Sequence, residues 1–193
     1  MPGRAPIGYK GKMVREILIW PDPVLKKAAA PVTKFDESLR TLIAEMFETM
    51  YAADGVGLAA PQVGLLQNVI VLDTRPRQPE SRPVAMVNPV IQAKEGTILY
   101  VEGCLSLPGE AEEIERAANV RVKFQDVDGV DQVMDCDGLL AIAVQHESDH
   151  LQGTMFVDHI SALKRELIRK RMKRLKADRA SQRASSAGAN PDA

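Results

Sequence analysis

Apolar positions along this chain recur with two different periods, and the period changes from segment to segment. Leu39, Leu42, Ile43, Met46 and Met50 fall at helical spacing. They predict an amphipathic helix capped by Asp36 or Ser38, running to about Ala53 and ended by Asp54–Gly55. A second helical segment, LLAIAVQHESDHLQ, is strongly apolar from Leu139 to Val144, with Asp137 placed to cap it and Gly153 to end it. A third begins at Ser161 and extends to about Arg179. Its stripe is Leu163, Leu167, Ile168, Met172 and Leu175, with Lys and Arg covering the rest. Elsewhere the period shortens. Val14 to Trp20 reads as an extended segment closed by Pro21 and Pro23. Asn68 to Asp73, the run PVAMVNPVIQA and Thr97 to Gly103 read as strands, and Asn119 to Gly129 alternates into a hairpin turn. GVGLAAPQVG (Gly55 to Gly64) reads as a loop by its glycines and Pro61. Strands in the middle and helices at the ends predict an α+β fold.

Composition narrows the class. A chain of 193 residues with 45% apolar and 26% charged content is long enough for one domain with a real core. No run approaches the ~20 apolar residues of a membrane span. The first twelve residues lack periodicity and read as a flexible extension without the apolar region of a secretory signal. The two cysteines, Cys104 and Cys136, make no disulfide framework, so a cytoplasmic location is expected. The net charge of −1 hides an asymmetry: Lys164 to Arg183 holds ten Lys/Arg against Glu166 and Asp178, or +8, which leaves about −9 for the rest. The expected organisation is a catalytic body over 13–162, a basic helix over 163–180 and a disordered tail over 181–193.

The chemistry enters with QHESDHLQG, Gln145 to Gly153. Positions i and i+4 of a helix lie one above the other, so His146 and His150 can reach a single metal ion. Glu147 is offset by about 100° and stands beside them as a candidate general base. On its own, the string also arises on helices that bind nothing, where the imidazoles are ordinary hydrogen-bonded core groups. A zinc protease of the HExxHxxGxxH type needs a third His at position 156, which is Phe156 here, and His159 comes three residues late. Glu166 lies in the basic helix and is a poor substitute. Cys104, in EGCLSLP (Glu102 to Pro108), is the better third ligand: a thiolate suits divalent iron or zinc, and one Cys with two His leaves an open coordination position. Considered alone, Cys104 would read as a small buried apolar residue. Cys136 reads as an unreactive turn residue at a helix start, and His159 as structural or surface.

Three separated strings, GVGLAAPQVG, EGCLSLPG and QHESDHLQG, resemble the signature motifs of the peptide deformylases in order and spacing. The similarity extends from about Val14 to Leu175. The resemblance implies an α+β fold with antiparallel sheets packed around the central HExxH helix, plus N-terminal and C-terminal helices. It also implies hydrolysis of the formyl group from the N-terminal formyl-methionine of nascent proteins. By the same resemblance Cys104, His146 and His150 would bind Fe²⁺, for which Zn²⁺, Ni²⁺ or Co²⁺ can substitute. Glu147 would serve as general base and acid, and Gln62 with the backbone N–H of Leu105 would hold the developing oxyanion. Val56, Gly57, Tyr100, Glu102, Gly103, Leu139, Ile142 and Ala143 match substrate-binding positions. Bacterial members with a basic tail dock near the ribosomal exit tunnel, so Lys164 to Arg183 is expected to contact ribosomal RNA. The chain departs from the family between Pro108 and Arg116. Many relatives carry a basic residue there that helps hold the peptide, whereas this chain has GEAEEIE, with Ala111 near that position. Arg116 reads as a structural ion pair. The competing readings are an HExxH metallopeptidase and, from another class, a metal-free RNA- or ribosome-binding protein with a dead site.

Overall fold

The computed structural model describes residues 13–75, 77–80 and 82–187, the last six of these by backbone alone. The proposed N-terminal extension and residues 188–193 lie outside the described residues. Seven strands and three α-helices follow one another as α1 (Glu37–Ala52), β1 (Gly57–Ala59), β2 (Val69–Leu72), β3 (Val84–Glu95), β4 (Ile98–Gly103), β5 (Ala111–Arg116), β6 (Asn119–Gln125), β7 (Asp131–Asp137), α2 (Gly138–Leu151) and α3 (Ala162–Ala187). The named strands pair antiparallel: one sheet has the order β1-β2-β3-β6-β7, and β4 and β5 form a separate two-stranded ribbon.

Alternation on β2 explains why the sheet is covered on both sides. Val69 and Val71 join the cluster built on α1 through Leu42, Ile43, Met46 and Phe47. Ile70 and Leu72, pointing the other way, join the cluster built on α2 through Ala141, Ala143 and Val144. All four β2 residues are therefore buried, and the segment reads as a continuous apolar run. On β6 the alternation has one wet face, with Val120, Val122 and Phe124 turned toward α2. A strand enclosed on both faces, packed against α2 through Ile70 and Leu72, gives the HESDH helix a rigid seat.

The structure corrects several expectations. GVGLAAPQVG is no open loop: it holds β1 and a 3-10 turn over Ala60–Val63, and Leu58 through Val63 are buried. Its carbonyls and amides find partners in β2 and within the turn, which glycine and proline content alone does not reveal. Strand β5 went unseen because AEEIER carries one large apolar side chain, Ile114; it forms by pairing with β4 in a six-residue register. Asp36 caps α1, accepting from the N–H groups of Ser38 and Leu39. Asp137 precedes α2 but makes no side-chain cap, because its carboxylate accepts from Gln78 Nε2 instead. Cys136 belongs to β7, buried opposite Val120, rather than to a turn; burial first, then Asp135 and Asp137, push its thiol up to about 11. Helix α3 continues past Arg179 to Ala187, into the stretch expected to be disordered. Its stripe is also narrower than expected. Ile168 and Met172 are buried against Ile19, Trp20 and Leu107, while Leu163 and Leu167 are 73% and 46% exposed.

Candidate metal centre

Three of the predicted side chains converge. The donor atoms of Cys104, His146 and His150 all lie within 4.8 Å of one another, with Cys104 Sγ 3.3 Å from His150 Nε2. The helical spacing of α2 sets the two imidazoles edge to face at 4.9 Å between ring centroids. Cys104 arrives from the end of β4, just past Gly103, and the turn after it closes through Leu107 N–H to Cys104 C=O. The N-terminal segment, extended as expected but paired as no strand, pins this turn from outside: Trp20 N–H donates to Ser106 C=O and Leu18 N–H to Gln62 C=O.

The electrostatics of the centre suit a cation. His146 Nδ1 sits 2.8 Å from Glu102 Oε2, leaving Nε2 for the cluster. Glu102 in turn accepts two bonds from Arg116, at 2.6 and 2.9 Å. Burial alone would raise the Glu102 carboxyl, but the bonds from Arg116 and His146 hold it down to about 2. Arg116 also donates to Asp149, which meets His159 Nε2 at 2.8 Å. Arg116 is thus the structural ion pair expected of it, and His159 is its distant anchor. Burial opposes a charge on His146, yet Cys104 and Glu102 hold its pKa well above the ordinary value. Burial, then the neighbouring His146, push His150 well below it, so its ring nitrogen stays in the neutral, ligating form. A buried cluster of one thiol and two imidazoles, backed by an oriented carboxylate and welcoming positive charge, fits a divalent ion of the iron–zinc group.

Glu147 points to the opposite side of α2 from that anchor. It is 5% exposed, its Oε2 has no hydrogen-bond partner in the protein, and burial raises its carboxyl to about 7. Gln62 is locked by its own neighbours. Its Oε1 accepts from Ala59 N–H at 2.8 Å, which aims Nε2 at Ser106 Oγ (3.2 Å) and Cys104 Sγ (3.5 Å). A cleft of about 610 Å³ opens over these groups, and its walls include Val56, Gly57, Tyr100, Gly103, Leu105, Leu139, Ile142 and Ala143. Glu102, grouped with them by resemblance, also borders the cleft, but both its oxygens are committed to Arg116 and His146, so its carboxylate orients the His146 imidazole.

A family model described as polypeptide deformylase matches residues 14–166. The chain belongs to the peptide deformylase family. It is 45% identical over 171 residues to the peptide deformylase of Brucella suis biovar 1, covering 88% of this chain and 98% of that one. With the peptide deformylase of Thermodesulfovibrio yellowstonii the identity is 49% over 160 residues, 83% of this chain and 97% of that one. The crystal structure of a peptide deformylase from Legionella pneumophila superposes with a TM-score of 0.81 at 44% identity, covering 87% of this chain and 98% of that one. This deformylase is therefore a metal-dependent hydrolase of nascent formyl-methionyl polypeptides, and the metallopeptidase reading is not favoured. Sequence reasoning did not single out three features beside this cluster and cleft: the Ser106 hydroxyl, the Asp149–His159 contact and Arg179 on the cleft wall. The first two were hidden because each acts through a partner from a distant segment.

Proposed function

We propose that deformylation here is carried by Glu147 as the proton-transferring group, with Cys104, His146 and His150 holding Fe²⁺. The observation that supports this most directly is a carboxylate buried without a protein partner beside a Cys/His/His cluster. When bound, the ion supplies Lewis-acid polarisation of the formyl oxygen and acidifies water. Glu147 takes a proton from the attacking water and, as the C–N bond breaks, returns it to the leaving amine; formate and a free N-terminus result. A carboxyl whose pKa stands near 7 suits both directions of that transfer. Gln62 Nε2, fixed by Ala59, and the Leu105 N–H donate to the oxygen on which charge develops. Val56, Tyr100, Leu139, Ile142 and Ala143 offer the methionine side chain apolar walls, and Gly57 and Gly103 let the peptide backbone approach closely. The purified protein is expected to release formate from formyl-Met-Ala-Ser and, prepared without oxygen, to carry iron. Internal peptide cleavage without formate would overturn the first assignment, and zinc or nickel as the dominant metal the second.

Helix α3 is the proposed ribosome contact, acting in the cytoplasm; among the described residues no helix is long and apolar enough to cross a membrane. Lys164, Arg165, Arg171 and Lys176 pair with Glu112, Asp158, Glu110 and Asp22 of the body. Lys170, Lys173 and Arg174 are exposed, with no ion pair among the described residues, and offer cations to phosphates. Removing α3 would strip Ile168 and Met172 from a core cluster, so charge reversal is the cleaner test. Lys170→Glu, Lys173→Glu and Arg174→Glu together should abolish co-sedimentation with ribosomes at low salt. Undiminished co-sedimentation would discard this contact.

A further inference from the structure

Helix α3 has a second place in the molecule, at the mouth of the cleft. Three attachments fix its register. Lys164 Nζ meets Glu112 at 2.7 Å, Arg171 makes two 2.6 Å bonds to Glu110, and Lys176 Nζ lies 3.4 Å from Asp22. Between them Ile168 and Met172 are buried. Arg179 follows Lys176 by three residues, on the same side of the helix. It joins the cleft wall together with Val14, Ile17, Gly109 and Glu110.

The charges of that wall are mostly neutralised within the protein. Arg15 is paired with Glu45, Glu102 with Arg116, and Glu110 with Arg171. Glu16 also makes an interaction of its own. Beside the catalytic Glu147, the charged cleft residues without an ion pair among the described residues are Asp54 after α1, Arg77 after β2, and Arg179. Arg77 immediately precedes Gln78, which packs at the start of α2, so Arg179 is the unpaired cation of the wall made by α3 and the N-terminal segment. Its head group is exposed and presents a planar fork that matches a carboxylate. The reacting formyl end is held at Glu147 and the metal cluster, so a cation at the mouth acts on what trails behind the methionine.

We propose that Arg179 is a specificity residue of the deformylase cleft, favouring formyl peptides with an acidic side chain downstream of the methionine. This rests on the deformylase reading above. The test compares kcat/KM for formyl-Met-Ala-Glu, formyl-Met-Ala-Ser and formyl-Met-Ala-Lys at low salt. The unmodified enzyme is expected to favour the Glu over the Lys peptide by about two- to fivefold, the size of an exposed ion pair. Arg179→Ala should erase that ratio and Arg179→Glu should reverse it. Lys94→Ala, on β3 outside the cleft, should keep it, and high salt should shrink it. A wild-type ratio near unity, or one that survives both Arg179 substitutions, overturns the proposal. Failure to release formate from any of the three peptides would overturn the deformylase reading instead, and the specificity with it.

Discussion

Replacing Glu147 with Gln or Ala is expected to remove turnover while leaving the metal content of the protein unchanged. The side chain contributes nothing to the ligand set of Cys104, His146 and His150, so chelation does not depend on it. What is lost is a proton acceptor held in a dry site. Gln fills the same volume but cannot take a proton from water, and general acid–base catalysis contributes on the order of 10²- to 10⁴-fold. The measurement is kcat at saturating formyl-Met-Ala-Ser, with metal analysis on the same sample. Near-normal kcat in Glu147→Gln would exclude Glu147 as the base. A second readout separates function from structure. The wild-type carboxylate is buried with one oxygen unpartnered, an arrangement that costs stability when the group is ionised. The Gln variant is therefore expected to keep or raise the Tm, as a residue retained for chemistry rather than folding should.

The same residue marks how far the sequence could be read. Spacing alone placed His146, Glu147 and His150 on one helix, because helical periodicity is a local property. Cys104 could be joined to them through ligand chemistry and the missing His at position 156, but Gln62 only through motif resemblance, since 42 residues separate it from Cys104 and only the fold brings the two together. Polar groups that act through a distant partner stayed illegible. Glu102 reads as an ordinary acid on a strand until Arg116 is found on the neighbouring strand and His146 on α2. Strand β5 was invisible for a related reason: it is held by its six-residue pairing with β4, and Lys164 of α3 meets its Glu112, and a strand whose stability comes from such pairing need not be apolar. Leu163 and Leu167 erred in the opposite direction. They fit the period of the α3 stripe, but only Ile168 and Met172 of that stripe are buried while these two stay in solvent, so periodicity overstated what is buried.

Gly57→Ala should cost about as much activity as a misplaced catalytic group does, although it adds a single methyl to a residue that performs no chemistry. A Cβ built at Gly57 stands 2.4 Å from Glu147 Oε1 and 3.0 Å from its Cδ and Cγ, closer than carbon atoms approach. Something must move. Strand β1 is poorly placed to yield: Gly57 pairs with Leu72, Asp73 N–H donates to Val56 C=O at 2.9 Å, and the sheet is clamped between α1 and α2. The Glu147 carboxylate is the softer side, and displacing it by roughly 1 Å lowers the rate on the order of 10²-fold. The expected loss is in kcat, with metal content retained. Backbone strain is not the cause, because Gly57 is not among the glycines at positive φ. Gly96→Ala makes the contrast: at φ 65 it introduces that strain at the β3–β4 turn, which does not line the cleft, and should lower Tm without touching kcat. In Gly57→Ala/Glu147→Asp the shorter acid withdraws from the added methyl, so Tm should recover relative to Gly57→Ala alone while kcat stays low. If Gly57→Ala instead turns over at the wild-type rate, the carboxylate is not held by this wall, and the position assigned to the base is wrong.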